Sequence, residues 1–168
     1  WLFIFWIPIY LNEVYGMDVK AIGFYAWVPY VGAMIGAWFG GLLAQNRIKA
    51  GWTVNRTRKV VITLGCLIML PTLLAMANPG GPETAVMLMA VILFGFQVAI
   101  GNVQTLPSDF FGGKSVGTLA GFAGMAAKLG AFGLTALVPW LTSGGNYTPA
   151  FVIGAALAII TMASIWIL

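Results

Sequence analysis

Long apolar segments, separated by short polar or Pro/Gly-rich connections, constrain this chain more than any other feature. Hydrophobic residues make up 61% of the 168 residues, and Asp, Glu, Lys and Arg together make up 7%. A soluble domain carries about 25% charged residues and needs polar side chains to cover its exterior. The sequence therefore predicts an integral membrane protein whose solvent is the lipid bilayer.

The apolar segments have the length of membrane-spanning helices. A helix needs about 20 apolar residues to cross a hydrocarbon core about 30 Å thick. The first segment is short and lacks the charged flank that normally precedes a span, so we expect a fragment that begins inside a helix. We predict an all-α, polytopic membrane protein, a bundle of six transmembrane helices over residues 1–12, 21–44, 60–77, 84–107, 115–141 and 149–168.

Basic residues cluster in one connection, residues 45–59, which holds five of the eight Lys and Arg side chains. Loops rich in Lys and Arg stay in the cytoplasm, so this connection is predicted to be cytoplasmic. The alternation of spans then places both chain ends in the cytoplasm, and we expect the protein in the cytoplasmic (inner) membrane. Because the cytoplasmic position of this connection explains its cluster of basic residues, we expect no nucleic-acid partner.

Glycines recur at helical spacing in two of the predicted spans. Gly32, Gly36 and Gly40 follow one another every fourth residue in the second span. The fifth span repeats the pattern on one face with Gly117, Gly121 and Gly124. Small residues let helix backbones approach closely in lipid, so these faces predict close helix packing.

One full charge, Lys128, interrupts the fifth span near its centre, on the same face as that span's glycines. A charge at this depth costs roughly 2.5 to 3.5 kcal/mol on insertion scales. The sequence places no Asp or Glu at the same depth in another predicted span. We therefore predict that Lys128 faces a water-filled cavity and binds an anionic ligand. The alternative is a lysine that reaches an internal carbonyl group or is held neutral by desolvation.

Amide side chains mark the fourth span. Gln97, Gly101, Gln104 and Ser108 share one helical face, and Asn102 lies about a hundred degrees away. We predict Gln97, the deepest of the amides, as a contact for a substrate hydroxyl, with Gln104 as a further candidate. Gln104 and Asn102 are equally compatible with hydrogen bonds between helices.

Three aromatic residues near the ends of the first two spans are further candidate ligands: Trp6, Tyr10 and Tyr25. Aromatic side chains at span ends more often belong to the belt at the membrane interface. Both interpretations stay open for these residues.

The residue inventory excludes most enzyme chemistry. The chain contains no His, and its single Cys66 lies in an apolar segment, so we expect no disulfide, no metal site and no cofactor. No paired acids lie inside a span, and no Ser or Cys stands beside a candidate base. The sequence therefore predicts a protein that is not an enzyme.

Several stretches, in this order and spacing, resemble the second half of a major facilitator superfamily transporter. They are WIPIYL (6–11), GMDVKAIG (16–23), Pro29, the glycine pair 40–41, RIKAGWTVNRTRK (47–59) and LPSDFFGGKSVGTLAGF (106–122). More narrowly, they are similar to the anion:cation symporter family, which includes hexuronate and galactonate permeases and vesicular glutamate and sialic acid transporters. The chain would then supply spans seven to twelve.

The resemblance implies alternating access by two six-helix halves around a site near the midplane. It implies a small carboxylate substrate such as a sugar acid, a coupling cation (proton or sodium), and an N-terminal six-helix half as partner. Lys128 falls where relatives often carry a polar, substrate-lining residue such as Asn, so a lysine is a departure that favours a carboxylate.

The resemblance also implies a cytoplasmic gating loop, with Arg47, Arg56, Arg58 and Lys59 as its basic members. Relatives usually carry an acidic residue about where Gln45 stands, which puts the charge network of this gate in doubt. Two alternatives to a sugar-acid transporter stay open. One is an exporter of drugs or neutral solutes, and the other is a non-transporting scaffold subunit that dimerises through its glycine faces.

Overall fold

The computed structural model describes residues 2–113, 115–142 and 147–167, and their side chains except those of residues 2–6, 138 and 141. Within these residues the chain is all-α, as predicted. The helices are α1 (Leu2–Tyr15), α2 (Val19–Tyr25), α3 (Trp27–Lys49), α4 (Val54–Ala75), α5 (Pro82–Phe110), α6 (Ser115–Leu141) and α7 (Thr148–Ile167).

Five segments of the described chain are long and apolar enough to cross a membrane. Helices α2 and α3 together make the first of them, Val19–Lys49, and α4 to α7 supply the others. The break between α2 and α3 falls at Ala26. Pro29 explains this break, because it has no N–H to donate to the carbonyl group four residues earlier. Helix α1 has 14 residues, fewer than a full span requires.

Helix α5 lies at the centre of the bundle, between α3 and α4. The glycine face of α3 packs directly on the α5 backbone. A Cβ atom built at Gly32 would lie 2.5 Å from the carbonyl oxygen of Ala90, and one built at Gly40 would lie 2.9 Å from the Cα atom of Val98. The predicted close packing of this glycine face is therefore confirmed.

A second close approach joins α4 and α5 at a pair of glycines that sequence reasoning did not single out. A Cβ atom at Gly65 would lie 2.6 Å from the carbonyl oxygen of Gly95, and one at Gly95 would lie 2.7 Å from that of Gly65. Helix α7 packs on the other side of α4, where the indole N–H of Trp166 donates to Thr63 Oγ1 at 2.9 Å.

Helix α6 differs from the other long helices because its glycine face is open. Residues 121–130 are all exposed. Cβ atoms built at Gly117, Gly121 and Gly124 would meet no heavy atom of another described element within 4 Å. The packing predicted for this face is therefore not made within the described part of the chain.

Candidate functional site

Asn102 lies where α3, α4 and α5 meet and is 2% exposed. Its Nδ2 donates to the carbonyl oxygen of Val98 at 2.9 Å and, more weakly, to that of Gly40 at 3.5 Å. Its Oδ1 accepts a hydrogen bond of 2.7 Å from Arg58 Nη1. The close approach of α3 at Gly40 brings that backbone carbonyl within reach, so one amide connects three helices.

Arg58, in the second turn of α4, also forms a salt bridge with Asp109 near the end of α5. The distance from Nε to Oδ2 is 2.7 Å, and the two side chains are 14% and 18% exposed. Helix α5 continues past Pro107 to Phe110, which places Asp109 two turns after Asn102 on the same face. The guanidinium group of Arg58 therefore contacts both residues at once.

This salt bridge shows which carboxylate meets Arg58 of the basic connection. Gln45, where relatives would carry an acid, is exposed near the end of α3. The carboxylate that meets the basic loop comes instead from Asp109 on α5. The sequence held a signal for this pairing, because the seven-residue spacing of Asn102 and Asp109 places both on one face of α5.

A cavity of about 540 Å³ opens between α3 and α5 beside this cluster. Gln97 and Gln104, both predicted as ligands, line it together with Arg58 and Thr105. The two glutamines are one above the other on α5, roughly 10 Å apart along the helix. Asn102 also lines the cavity, so four of its polar side chains come from α5 and one, that of Arg58, comes from α4, while the rest of the wall is small or apolar.

Lys128 lies on the open face of α6 and is exposed. It is near the middle of a 27-residue helix and is not among the residues that line the cavity between α3 and α5. Its assignment as the ligand of an anion stays a prediction.

Tyr10 and Tyr25, two of the predicted aromatic ligands, are not among the residues that line the cavity. Tyr10 is 5% exposed and packs edge-to-face against Tyr15, Tyr147 and Phe151, with ring centroids 5.0 to 5.9 Å apart. Tyr25 is half-buried. The side chain of Trp6 lies outside the described residues. In this structure the environment of Tyr10 is that of a packing residue.

The Tyr147 hydroxyl donates a hydrogen bond to the Glu13 carboxylate, which joins the end of α1 to the start of α7. Burial, followed by this hydrogen bond and the negative charge of Glu13, raises the pKa of Tyr147 to about 12. The phenol therefore stays protonated at neutral pH and remains a donor to Glu13.

The other basic residues of the predicted gating loop contact tryptophan rings. The guanidinium carbons of Arg47 and Arg56 lie 5.1 Å and 4.4 Å from the centroid of the Trp52 ring. Lys59 Nζ lies 5.9 Å from the ring centroid of Trp166. These are cation–π distances. Arg58 therefore forms a salt bridge, whereas these three residues contact aromatic rings.

Known proteins resemble this chain over nearly its whole length. The hexuronate transporter of Escherichia coli is 32% identical over 164 residues, which cover 96% of this chain and 37% of that protein. A D-galactonate transporter of Escherichia coli is 30% identical over 161 residues, or 95% of this chain and 37% of that protein. A probable sulfoacetate transporter of Cupriavidus necator is 27% identical over 171 residues, or 99% and 39%.

The chain spans less than half the length of these relatives. Because they are transporters, the prediction that the chain is not an enzyme is confirmed. The sequence pattern of the Major Facilitator Superfamily matches residues 1–134, and the described residues form the all-helical, membrane-spanning architecture expected of such a protein. This chain therefore belongs to the major facilitator superfamily.

Proposed function

We propose that this chain is the C-terminal half of a secondary active transporter for a small organic anion, a sugar acid. It would move its substrate by alternating access, coupled to a cation, in the inner membrane. The names of its relatives support the substrate class, since they include hexuronate and D-galactonate transporters. Their greater length supports an N-terminal half as partner, because the chain covers 37% of each.

The observation that carries this proposal is the open glycine face of α6. In lipid, small-residue faces normally serve close helix contact, yet this one meets no other described element. A helix that lines the pathway between two six-helix halves would keep such a face open until the second half is present. The central position of Lys128 on that face fits a pathway better than lipid, where its charge would be costly.

In this proposal Lys128 is the counter-ion of the substrate carboxylate. Two opposite charges about 4 Å apart attract by roughly 4 kcal/mol at an effective dielectric near 20. That attraction is enough to offset the cost of placing an ammonium group at mid-span. Gln97 and Gln104 would meet substrate hydroxyls from the α5 side, since an amide can both donate and accept hydrogen bonds.

The Arg58–Asp109 pair would belong to the cytoplasmic gate. It joins the beginning of α4 to the end of α5, on the side where the basic connection predicts the cytoplasm. The carboxylate from Asp109 replaces the one that is missing at Gln45, so the gate would keep a charge pair. Arg47, Arg56 and Lys59 would be its peripheral members.

Substitution of Lys128 in the full-length transporter tests the counter-ion role. We expect Lys128→Gln to abolish uptake of a radiolabelled hexuronate or galactonate while leaving membrane expression intact. Lys128→Arg should also impair uptake, because a planar guanidinium group does not replace a compact ammonium group. Lys20→Gln, which removes an exposed base at the start of α2, is the matched control. Unchanged transport kinetics in Lys128→Gln would reject the role.

The scaffold alternative makes a different structural prediction, dry packing around Lys128. The exposure of this side chain and the polar-lined cavity along α5 favour the transporter.

A further inference from the structure

The connection between α3 and α4 brings two arginines against one tryptophan ring, a group that we call the basic turn: Arg47, Trp52 and Arg56. Both arginine side chains are exposed, and Trp52, which they contact, is half-buried. Arg47 and Arg56 come from the two different helices, and both lie against this one ring. The basic turn therefore gathers charges from both sides of the connection at a single point.

The backbone of the basic turn holds the ring in place. Gly51 adopts a φ of +88°, a conformation that glycine reaches without strain, and the Trp52 N–H donates to the Arg47 carbonyl oxygen at 3.1 Å. The side chain of Thr53 caps α4 by accepting from the Arg56 N–H at 3.3 Å. The first hydrogen bond ties Trp52 itself to Arg47, and the second ties Thr53, its neighbour, to Arg56, so the geometry is preorganised.

This geometry concentrates positive charge. Both guanidinium carbons lie within 5.1 Å of the ring centroid, so their separation is no greater than about one Debye length at 0.1 M salt, which is about 10 Å. Within the described residues the nearby salt bridge belongs to Arg58 and Asp109, and neither Arg47 nor Arg56 forms one. Two like charges held this close favour an anion that both can contact.

We propose that the basic turn binds the phosphate of an anionic phospholipid headgroup. It connects two membrane-spanning helices, which places it at the level of the headgroups on the predicted cytoplasmic side. Tryptophan favours this interfacial level, and a guanidinium group can donate two parallel hydrogen bonds to one phosphate. The phosphate of a lipid headgroup is therefore the anion expected nearest to the basic turn.

The size of the effect follows from membrane electrostatics. Each basic residue near an anionic surface stabilises binding by about 1 kcal/mol. That free energy corresponds to a factor of about five in affinity. Loss of both arginines should therefore weaken selectivity for the anionic lipid by about 25-fold. Loss of a distant base should leave that selectivity unchanged.

Quenching of tryptophan fluorescence by brominated lipids tests the site. The full-length protein is reconstituted in phosphatidylcholine bilayers that contain increasing fractions of brominated phosphatidylglycerol or brominated phosphatidylcholine. The chain has seven tryptophans, so the Trp52 signal is taken as the difference from Trp52→Phe. We expect the brominated phosphatidylglycerol to quench this signal at a mole fraction about 25-fold lower than the brominated phosphatidylcholine.

Variants of the basic turn separate charge from geometry. Arg47→Gln combined with Arg56→Gln should remove the preference for the anionic lipid. Arg47→Lys with Arg56→Lys keeps both charges without the planar groups, and should retain an intermediate preference. Lys20→Gln, at the opposite membrane face by the predicted topology, should behave like wild type.

Three results would overturn the proposal. Equal quenching by the two lipids in the wild-type protein would show that the turn does not select an anionic headgroup. A Trp52 signal that neither lipid quenches would mean that protein covers the turn, as an acidic segment of the other half could. An unchanged preference in the double glutamine variant, with normal elution from size-exclusion chromatography, would assign the selectivity to other residues.

Discussion

The roles of single residues near the α3–α4–α5 junction differ in how far the sequence predicts them. Some follow from the residue type and its position in a span, and others depend on which residues pack nearby. Gln97 stands out in the sequence because an amide in an apolar span is costly, and the structure places it on a cavity. Asn102 also carries an amide, but this amide forms hydrogen bonds with Arg58 and two backbone carbonyl groups. The hydrogen bonding between helices that the sequence suggested for Asn102 is confirmed.

Asn102→Leu should destabilise the protein, because it removes a hydrogen bond to a charged group at a buried position. Hydrogen bonds to charged groups contribute about 1.5 to 3 kcal/mol, and we expect a loss of free energy of unfolding in that range. Thermal unfolding in detergent, followed by tryptophan fluorescence, measures it. Gln104→Leu is the control, since Gln104 is exposed and should change the midpoint little. Equal midpoints for both variants would contradict the junction role of Asn102.

Individual helices with similar sequence patterns have different environments in this protein. The glycine face of α3 is packed against α5, whereas that of α6 is open. Both faces show glycines at helical spacing, so periodicity alone does not distinguish them. The distinction depends on which helix lies opposite, and that is set by the arrangement of the bundle.

Gly36→Ala tests the packing of α3. The added Cβ atom would lie 2.8 Å from the Cα atom of Phe94, and overpacking of this kind costs about 1 to 3 kcal/mol. Gly23→Ala on α2 is the matched control, because its Cβ atom would meet nothing within 4 Å. Since alanine is the better helix former by about 1 kcal/mol, the control should unfold at the same or a higher temperature. A Gly36→Ala protein as stable as Gly23→Ala would show that the helices can separate without cost.

The whole molecule explains why one glycine face can stay open. The relatives are more than twice as long as this chain, and in our proposal the remaining half packs around the pathway that α6 lines. The cavity along α5 and the open face of α6 would then belong to one route between two halves. Neither feature is complete within the described residues.

Gly124→Leu should therefore act differently in the chain and in the full-length transporter. In this chain alone the new side chain enters open space, so thermal stability in detergent should be unchanged or slightly higher. In the full-length protein it would narrow the pathway or separate the halves, and substrate uptake should fall at least ten-fold. Unfolding of this chain by the substitution, or uptake at the wild-type level in the full-length protein, would place this face outside the pathway.

Local composition was sufficient for the membrane environment and the all-α class, because each depends on the apolar content of continuous segments. The sequence was also sufficient to single out Lys128 and Gln97, because one is a charge and the other an amide inside an apolar segment. The carboxylate that meets Arg58, the junction at Asn102, the close contact of Gly65 with Gly95 and the open face of α6 depend on the packing of helices distant in sequence. No local pattern encodes which faces meet, since similar small-residue faces are buried in one helix and open in another.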